Sequence, residues 1–438
     1  MVHKKLLCSF IVLLTIIMTA CSSTTSIIKS SEFDQVKSDL IEGLNVDTIY
    51  GTIEELTKEP RVAGTESEQQ AAKFLSGKLE SYGYKVETQP FDFERYVMPE
   101  SFSLSVDGFG GPLSPKPFQY SVSGAVTGDL IDAGKGLKSD YDDIDVEGKI
   151  VLARVSDIYF SEMVLNAAKA GASAILILFP ESEPIGSWSL GEHDKDFIPA
   201  FALSFDEGEG LTDFMESKGT VNATFAIEGA GVEKAKSQNL IITKQPVAKT
   251  EATKDIVLVG AHYDSVDQAP GASDNASGTA VVLELARMFK DVTTEKELRF
   301  LFFGAEEEGL YGSEHYVSEM TKNEIKRTAA MFNLDMVGSA DAGELAIQTI
   351  DGMDNTVTKA ASQANIELSD ESIETEFGDR SDHVPFHEAG IDAALFIYNP
   401  VEEWYHSPDD TIDKLSKDRL RDVAKIVGSS VLTLTFNK

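Results

Sequence analysis

Ile256-Val257-Leu258-Val259-Gly260-Ala261-His262 is an apolar run that stops at a histidine, and its reading decides the fold. Two further runs follow the same plan. Leu298 to Phe303 leads into Gly304-Ala305-Glu306-Glu307, and Ala329 to Leu334 leads into Asp335. Near-continuous runs of Val, Ile, Leu and Phe suit strands buried on both faces, as in a largely parallel sheet covered by helices. Between the first two runs, Gly278 to Lys290 places Val281, Leu285 and Met288 at helical spacing, so the order is strand, helix, strand. The expected fold class is α/β, with a mostly parallel, mixed central sheet covered by helices.

In such sheets ligands bind beyond the carboxyl ends of the strands. Five potential metal ligands, His262, Asp274, Glu307, Asp335 and His406, stand mostly at or just past predicted strand ends. Two histidines can each serve one divalent ion, one carboxylate can bridge, and the other two can complete one ion each, leaving room for a shared water. Glu306, beside a proposed ligand, is free to move a proton. Each residue also has an ordinary structural role to offer. His262 could be a hydrogen-bonded core histidine, Asp274 a turn or helix cap, and Glu306-Glu307-Glu308 a solvated charge run. Asp335 is harder to explain that way, because a carboxylate ending a buried run is costly unless paired. Together, and at strand ends, the five favour a metal site. An adjacent ligand and base would face opposite ways in a straight strand, so a bend after Gly304 is implied.

Six segments carry a resemblance: His262-Tyr263-Asp264-Ser265, Ser273-Asp274-Asn275-Ala276-Ser277-Gly278, Gly304-Ala305-Glu306-Glu307, Asn333-Leu334-Asp335-Met336, Arg380-Ser381-Asp382-His383 and Tyr405-His406-Ser407. They resemble those of the bacterial double-zinc aminopeptidases. The likeness implies a zinc-peptidase fold and two Zn2+ per chain, with His262 and Asp335 on one zinc, Glu307 and His406 on the other, and Asp274 bridging. It implies Glu306 as general base, Asp264 as the partner that orients His262, Tyr405 as a hydroxyl for the oxyanion, Arg380 as a substrate contact and His383 as active-site support. His315 and His387 are expected to stay away from the metals, and His193 to lie at the surface.

The amino terminus has a different signature. Lys4 and Lys5 precede the apolar stretch from Leu6 to Ala20, and Thr19-Ala20-Cys21-Ser22 ends it with a small residue before cysteine. The layout resembles a bacterial lipoprotein signal, which implies cleavage after residue 20 and lipidation of Cys21. The apolar run is shorter than the roughly 20 residues of a spanning helix. The expected location is outside the cell, lipid-anchored to the membrane. Cys8 would leave with the signal, so no cysteine pair remains for an intramolecular disulfide, and stability must come from the core.

With 38 Lys plus Arg against 73 Asp plus Glu, the net charge is −35, and nucleic-acid binding is disfavoured for want of a basic footprint. The composition changes character between about Pro112 and Gly229. There Ile150 to Ala153, a helical Met163 to Ala170 and the run Ala174 to Phe179 make a compact strand-helix-strand pattern that holds none of the proposed ligands. This block resembles the protease-associated domain inserted in several secreted peptidases; a structural, gating or partner-binding role is open. The expected organisation is a signal at 1–20, a tether at 21–35, a peptidase domain at 36–111 and 230–438, and the inserted domain at 112–229. Before the insertion, Thr65 and Glu68 have capping-box spacing, with Ala72, Leu75, Leu79 and Tyr82 on one helical stripe. Residues 415–434 are expected to form a helix covering the sheet.

The reading is thus a zinc-dependent metallo-aminopeptidase acting on peptides with a free amino terminus. A carboxypeptidase or dipeptidase on the same scaffold, or a non-catalytic binding protein, is the alternative.

Overall fold

The computed structural model describes residues 30–181, 188–191, 193–247 and 254–436; the expected signal and Cys21 lie outside them. Among the described residues, fifteen strands form two sheets. Strand β1 (Val86–Val97) opens the larger one. The chain then builds a second sheet from β2 (Ser101–Val106), β3 (Lys116–Pro117), β4 (Gly124–Asp132), β5 (Ile150–Arg154), β6 (Ala174–Leu178), β7 (Ala200–Leu203) and β8 (Val221–Glu228). It returns through β9 (Gly231–Lys244), β10 (Ile256–His262), β11 (Glu297–Phe303), β12 (Thr328–Leu334), β13 (Glu344–Thr349), β14 (Glu374–Phe377) and β15 (Ala393–Asn399). The second sheet is therefore an insertion between two antiparallel partners, β1 and β9. It begins at Ser101, ahead of the composition change near Pro112.

The larger sheet has the order β1-β9-β11-β10-β12-β15-β13-β14. Its centre, β11-β10-β12-β15, is parallel, with Val257 opposite Leu298 and Gly260 opposite Asn333. The flanks β1, β9 and β13 pair antiparallel, which makes the sheet mixed. Every residue of β10 and of β12 is buried, as continuous apolar runs require. Alternation sends Val257, Val259 and Ala261 into one core layer and Ile256 and Leu258 into the other. The first layer is closed by helices Val46–Leu56, Glu66–Ser81, Gly278–Phe289 and Lys417–Thr435, the second by Tyr311–Glu319 and the short His383–Glu388. Each fully buried aliphatic or Phe side chain contributes about 1.5–3 kcal/mol, so a core of this size needs no disulfide. Among the described residues no helix is long and apolar enough to cross a membrane.

One local expectation fails. Thr65 precedes helix Glu66–Ser81 without capping it through its side chain. Glu68 instead turns inward, where one oxygen accepts the Gly64 N–H at 2.7 Å and the other meets the Ser237 hydroxyl. His193, in the insertion, is partly exposed.

Candidate active site

The parallel strands all deliver their carboxyl ends to one side of the sheet, and the polar side chains gather there. His262 is the last residue of β10 and 1% exposed; its carbonyl accepts the Thr279 hydroxyl at 2.5 Å, which ties it to the first turn of helix Gly278–Phe289. Asp335 follows β12 and stays on the ladder through its N–H to the Phe396 carbonyl at 3.1 Å. Asp274 lies in the irregular turn Ala272–Ser277, with extended backbone angles that break the helix there. Gly278 begins the next helix against the Leu334 carbonyl, where a Cβ would collide with that oxygen. The implied bend after Gly304 is present: Ala305 sits in the left-handed region at φ 55°, and Glu306 and Glu307 leave the strand on a tight turn. His406 also has positive φ, 54°, and the Tyr405 ring stacks on its imidazole at 3.8 Å.

The distances sort these residues into two sets. His262 Nε2 lies 3.2 Å from Asp274 Oδ1 and 3.3 Å from Asp335 Oδ1. His406 Nε2 lies 3.1 Å from Asp274 Oδ2 and 3.0 Å from Glu307 Oε2. Asp274 belongs to both, through different oxygens. Zinc bonds of about 2.0–2.1 Å in a tetrahedron place neighbouring donors about 3.3 Å apart, so the donor spacings fit that ion. His406 Nε2 and Glu307 Oε1 are buried without a hydrogen-bond partner, although His406 Nε2 has two carboxylate oxygens at contact distance. Around His406, oxygen and nitrogen donors that converge without hydrogen-bond geometry suit a shared cation.

Electrostatics point the same way. Burial raises the pKa of Glu306 well above the usual carboxylate range, with Asp382, Asp335 and Glu307 adding to the effect and His262 opposing it. Burial and the neighbouring Asp274 raise Glu307 to about 7. Burial opposes charge on His406, yet Glu307 and Asp274 carry its pKa up to about 10. His262 is likewise raised against burial, by Glu306, Asp335, Asp264 and Asp274. Asp274 is held low, because the two histidines beside it outweigh burial. Crowded carboxylates that gain so much from cations are a natural divalent-metal site.

The surrounding residues hold this set in place. Asp264 Oδ1 faces His262 Nδ1 at 3.6 Å. It does more than the sequence suggested, accepting the N–H groups of Glu306 and Glu307 at 3.2 Å each. Ser381 donates to Asp335 Oδ2 at 2.8 Å. Asp410 accepts the N–H groups of Ser273 and Asp274 at 2.7 and 3.1 Å. Arg61, 1% exposed, donates to the carbonyls of Tyr263, Leu56, Pro270 and Gly271, placing a buried cation beneath the acids. Asp382, fully buried, is pushed up to about 7 chiefly by burial, with the charge of Asp335 adding and that of His262 opposing. Sequence reasoning gave Asp410, Arg61 and Asp382 no role; the acids of Ser381-Asp382 and Asp409-Asp410, close to proposed ligands, were the available signal. His383 is buried with Nε2 2.9 Å from the Gly378 carbonyl, whereas Arg380 is exposed on the preceding loop. Tyr405 is 43% exposed. His315 packs on Phe91, outside the site.

Residues 239–431 match the model of Peptidase family M28, and residues 126–211 match that of the PA domain. Aminopeptidase YwaD of Bacillus subtilis strain 168 is 37% identical over 87% of this chain and 83% of its own length. Among solved structures, an aminopeptidase from Aneurinibacillus sp. strain AM-1 superposes with a TM-score of 0.86 at 42% identity, covering 92% of this chain and 97% of that one. BSAP, a zinc aminopeptidase from Bacillus subtilis, superposes with a TM-score of 0.71 at 37% identity, covering 89% and 94%.

Proposed function

Because the chain belongs to peptidase family M28 and is a metallo-aminopeptidase with an inserted PA domain, we propose that it removes amino-terminal residues from peptides using two zinc ions and Glu306 as general base. The observation that carries the two-metal reading is Asp274: its two oxygens face two different histidines, 3.2 Å from His262 and 3.1 Å from His406. A carboxylate so placed would serve both ions, with His262 and Asp335 holding one and His406 and Glu307 the other.

Bound zinc would supply Lewis acidity, lowering the pKa of a water and polarising the scissile carbonyl. The chain's own groups do the rest. Glu306, with Oε2 3.9 Å from His262 Nε2 and grouped with His262 and Asp335, takes the proton of the attacking water, then passes it to the leaving amine. Asp264 fixes the backbone on which Glu306 and Glu307 diverge, so that one can serve as base and the other as ligand. Tyr405, stacked on His406 with its ring partly open to solvent, would donate its hydroxyl to the developing oxyanion. His383 would brace the loop from Gly378 that carries Arg380, and Arg380 would contact substrate.

We also propose the division into a peptidase body, 36–111 and 230–438, around an insertion at 112–229, with residues 1–20 as a lipoprotein signal and 21–35 as a tether. On that reading the enzyme is exported and held at the outer face of the membrane through Cys21. The peptide activity is tested with the zinc-loaded protein on free-amine, amino-blocked and carboxyl-blocked peptides. Loss of cleavage only on blocking the amine is the expected result; loss only on blocking the carboxyl would identify a carboxypeptidase.

A further inference from the structure

The three consecutive acids after Ala305 are all drawn inward, and the third is held by the inserted domain. Glu308 is 7% exposed. Its Oε2 accepts the hydroxyl of Tyr120 at 2.7 Å and the N–H of Tyr96 at 3.1 Å, and its carbonyl oxygen lies 2.6 Å from the same hydroxyl. Tyr96 belongs to the end of β1, whereas Tyr120 lies between β3 and β4, inside the insertion. Tyr120 is 1% exposed, its ring lies 5.3 Å from that of Tyr96, and its backbone is left-handed at φ 65°. A bulky residue in that region is strained and persists only where its surroundings impose it.

The segment so held is the one that bears the proposed base and ligand. The carbonyl of Glu306 accepts the N–H groups of Gly309 and Leu310 at 2.8 and 2.9 Å, closing a turn between left-handed Ala305 and Leu310. From the peptidase side, Asp264 holds the N–H groups of Glu306 and Glu307. From the insertion side, Tyr120 grips Glu308 at both backbone and side chain. Displacing a catalytic group by about 1 Å can cost roughly 10²-fold in rate.

We propose that Tyr120 is a positioning residue for the hydrolytic reaction, acting through Glu308 on the Glu306–Glu307 turn, so that the inserted domain completes the active site rather than only flanking it. The inference rests on the roles proposed for Glu306 and Glu307.

The test is a double-mutant cycle on the full zinc-loaded enzyme with an aminoacyl anilide, reading kcat, KM, zinc content and thermal midpoint. Tyr120→Phe keeps the ring and removes the hydroxyl; Glu308→Ala removes the acceptor. Each should lower kcat about 5-fold or more with KM within about twofold, and the double variant should fall no more than about twofold below the worse single. Glu308→Gln keeps an acceptor oxygen and should recover kcat to within about threefold of wild type. Wild-type kcat in folded, zinc-loaded Tyr120→Phe would overturn the proposal, as would single losses that multiply in the double. A loss fully explained by a smaller folded or zinc-loaded fraction would reduce Tyr120 to a docking contact and overturn it equally. Failure of the base assignment is read separately, from Glu306→Gln.

Discussion

Oδ1 of Asp264 lies 3.6 Å from Nδ1 of His262 and accepts the Glu306 N–H at 3.2 Å, so one carboxylate ties a proposed zinc ligand to the backbone of the proposed base. Its other oxygen takes the Glu307 N–H. An asparagine can accept on one side only. Asp264→Asn should therefore weaken zinc affinity by about 10–100-fold, as is usual when a ligand's supporting partner is lost. Titration against a competing chelator measures this, and unchanged affinity together with unchanged kcat would show that Asp264 is incidental to the site.

Glu68 sets a pH dependence away from the metals. Burial, reinforced by Asp264, raises its carboxyl to about 8, while the Ser237 and Gly64 bonds only partly offset the shift. A carboxyl whose folded pKa exceeds its unfolded value binds more protons in the native state. Its contribution is full below the unfolded pKa, near 4.5, and is lost as pH rises through about 8. Between those values the group removes up to about 1.4 kcal/mol of stability per pH unit. Glu68→Gln should flatten the fall in denaturant-unfolding free energy between pH 5 and 8. An identical slope in variant and wild type would mean that Glu68 is ionised throughout.

What the sequence made legible follows from the range of each interaction. Strands β10, β11 and β12 were readable because strands buried on both faces need unbroken apolar runs, and helix Gly278–Phe289 because its stripe repeats at helical spacing. His262, Glu307 and Asp335 stood out because they fall at or just beyond strand ends, whereas Asp274 and His406 lie in turns and entered through the resemblance, and no donor spacing could be read. Glu308 looked like part of a solvated charge run, because its partner Tyr120 lies 188 positions earlier. Glu68 had capping-box spacing, yet the N–H it accepts is that of Gly64 and its other oxygen meets Ser237, on a strand that returns only after the insertion. Arg61 makes four backbone bonds that no local pattern announces. The left-handed angle at Ala305 falls on a residue with no preference for it, so no local pattern announces it.

Anchoring can be tested without regard to activity. Cys21 is the only cysteine left once residues 1–20 are removed, so Cys21→Ser should abolish incorporation of a labelled fatty acid and release the protein from membranes. Multiple acyl chains hold a protein where one is only marginal, so wild type should sediment with the membrane fraction. Undiminished labelling of the variant would remove the lipoprotein reading.

The central claim, that adjacent Glu306 and Glu307 divide the work of base and ligand, is tested most directly by turnover at full zinc occupancy. Glu306→Gln preserves shape and all five proposed ligands but removes the proton acceptor. It should lower kcat by roughly 10²–10⁴-fold with zinc content and folding near wild type. Glu307→Gln, the matched variant, should lose zinc from one set and regain activity in part when zinc is added. Near-wild-type turnover of zinc-saturated Glu306→Gln, or loss of metal from it while Glu307→Gln keeps both ions, would contradict the assignment.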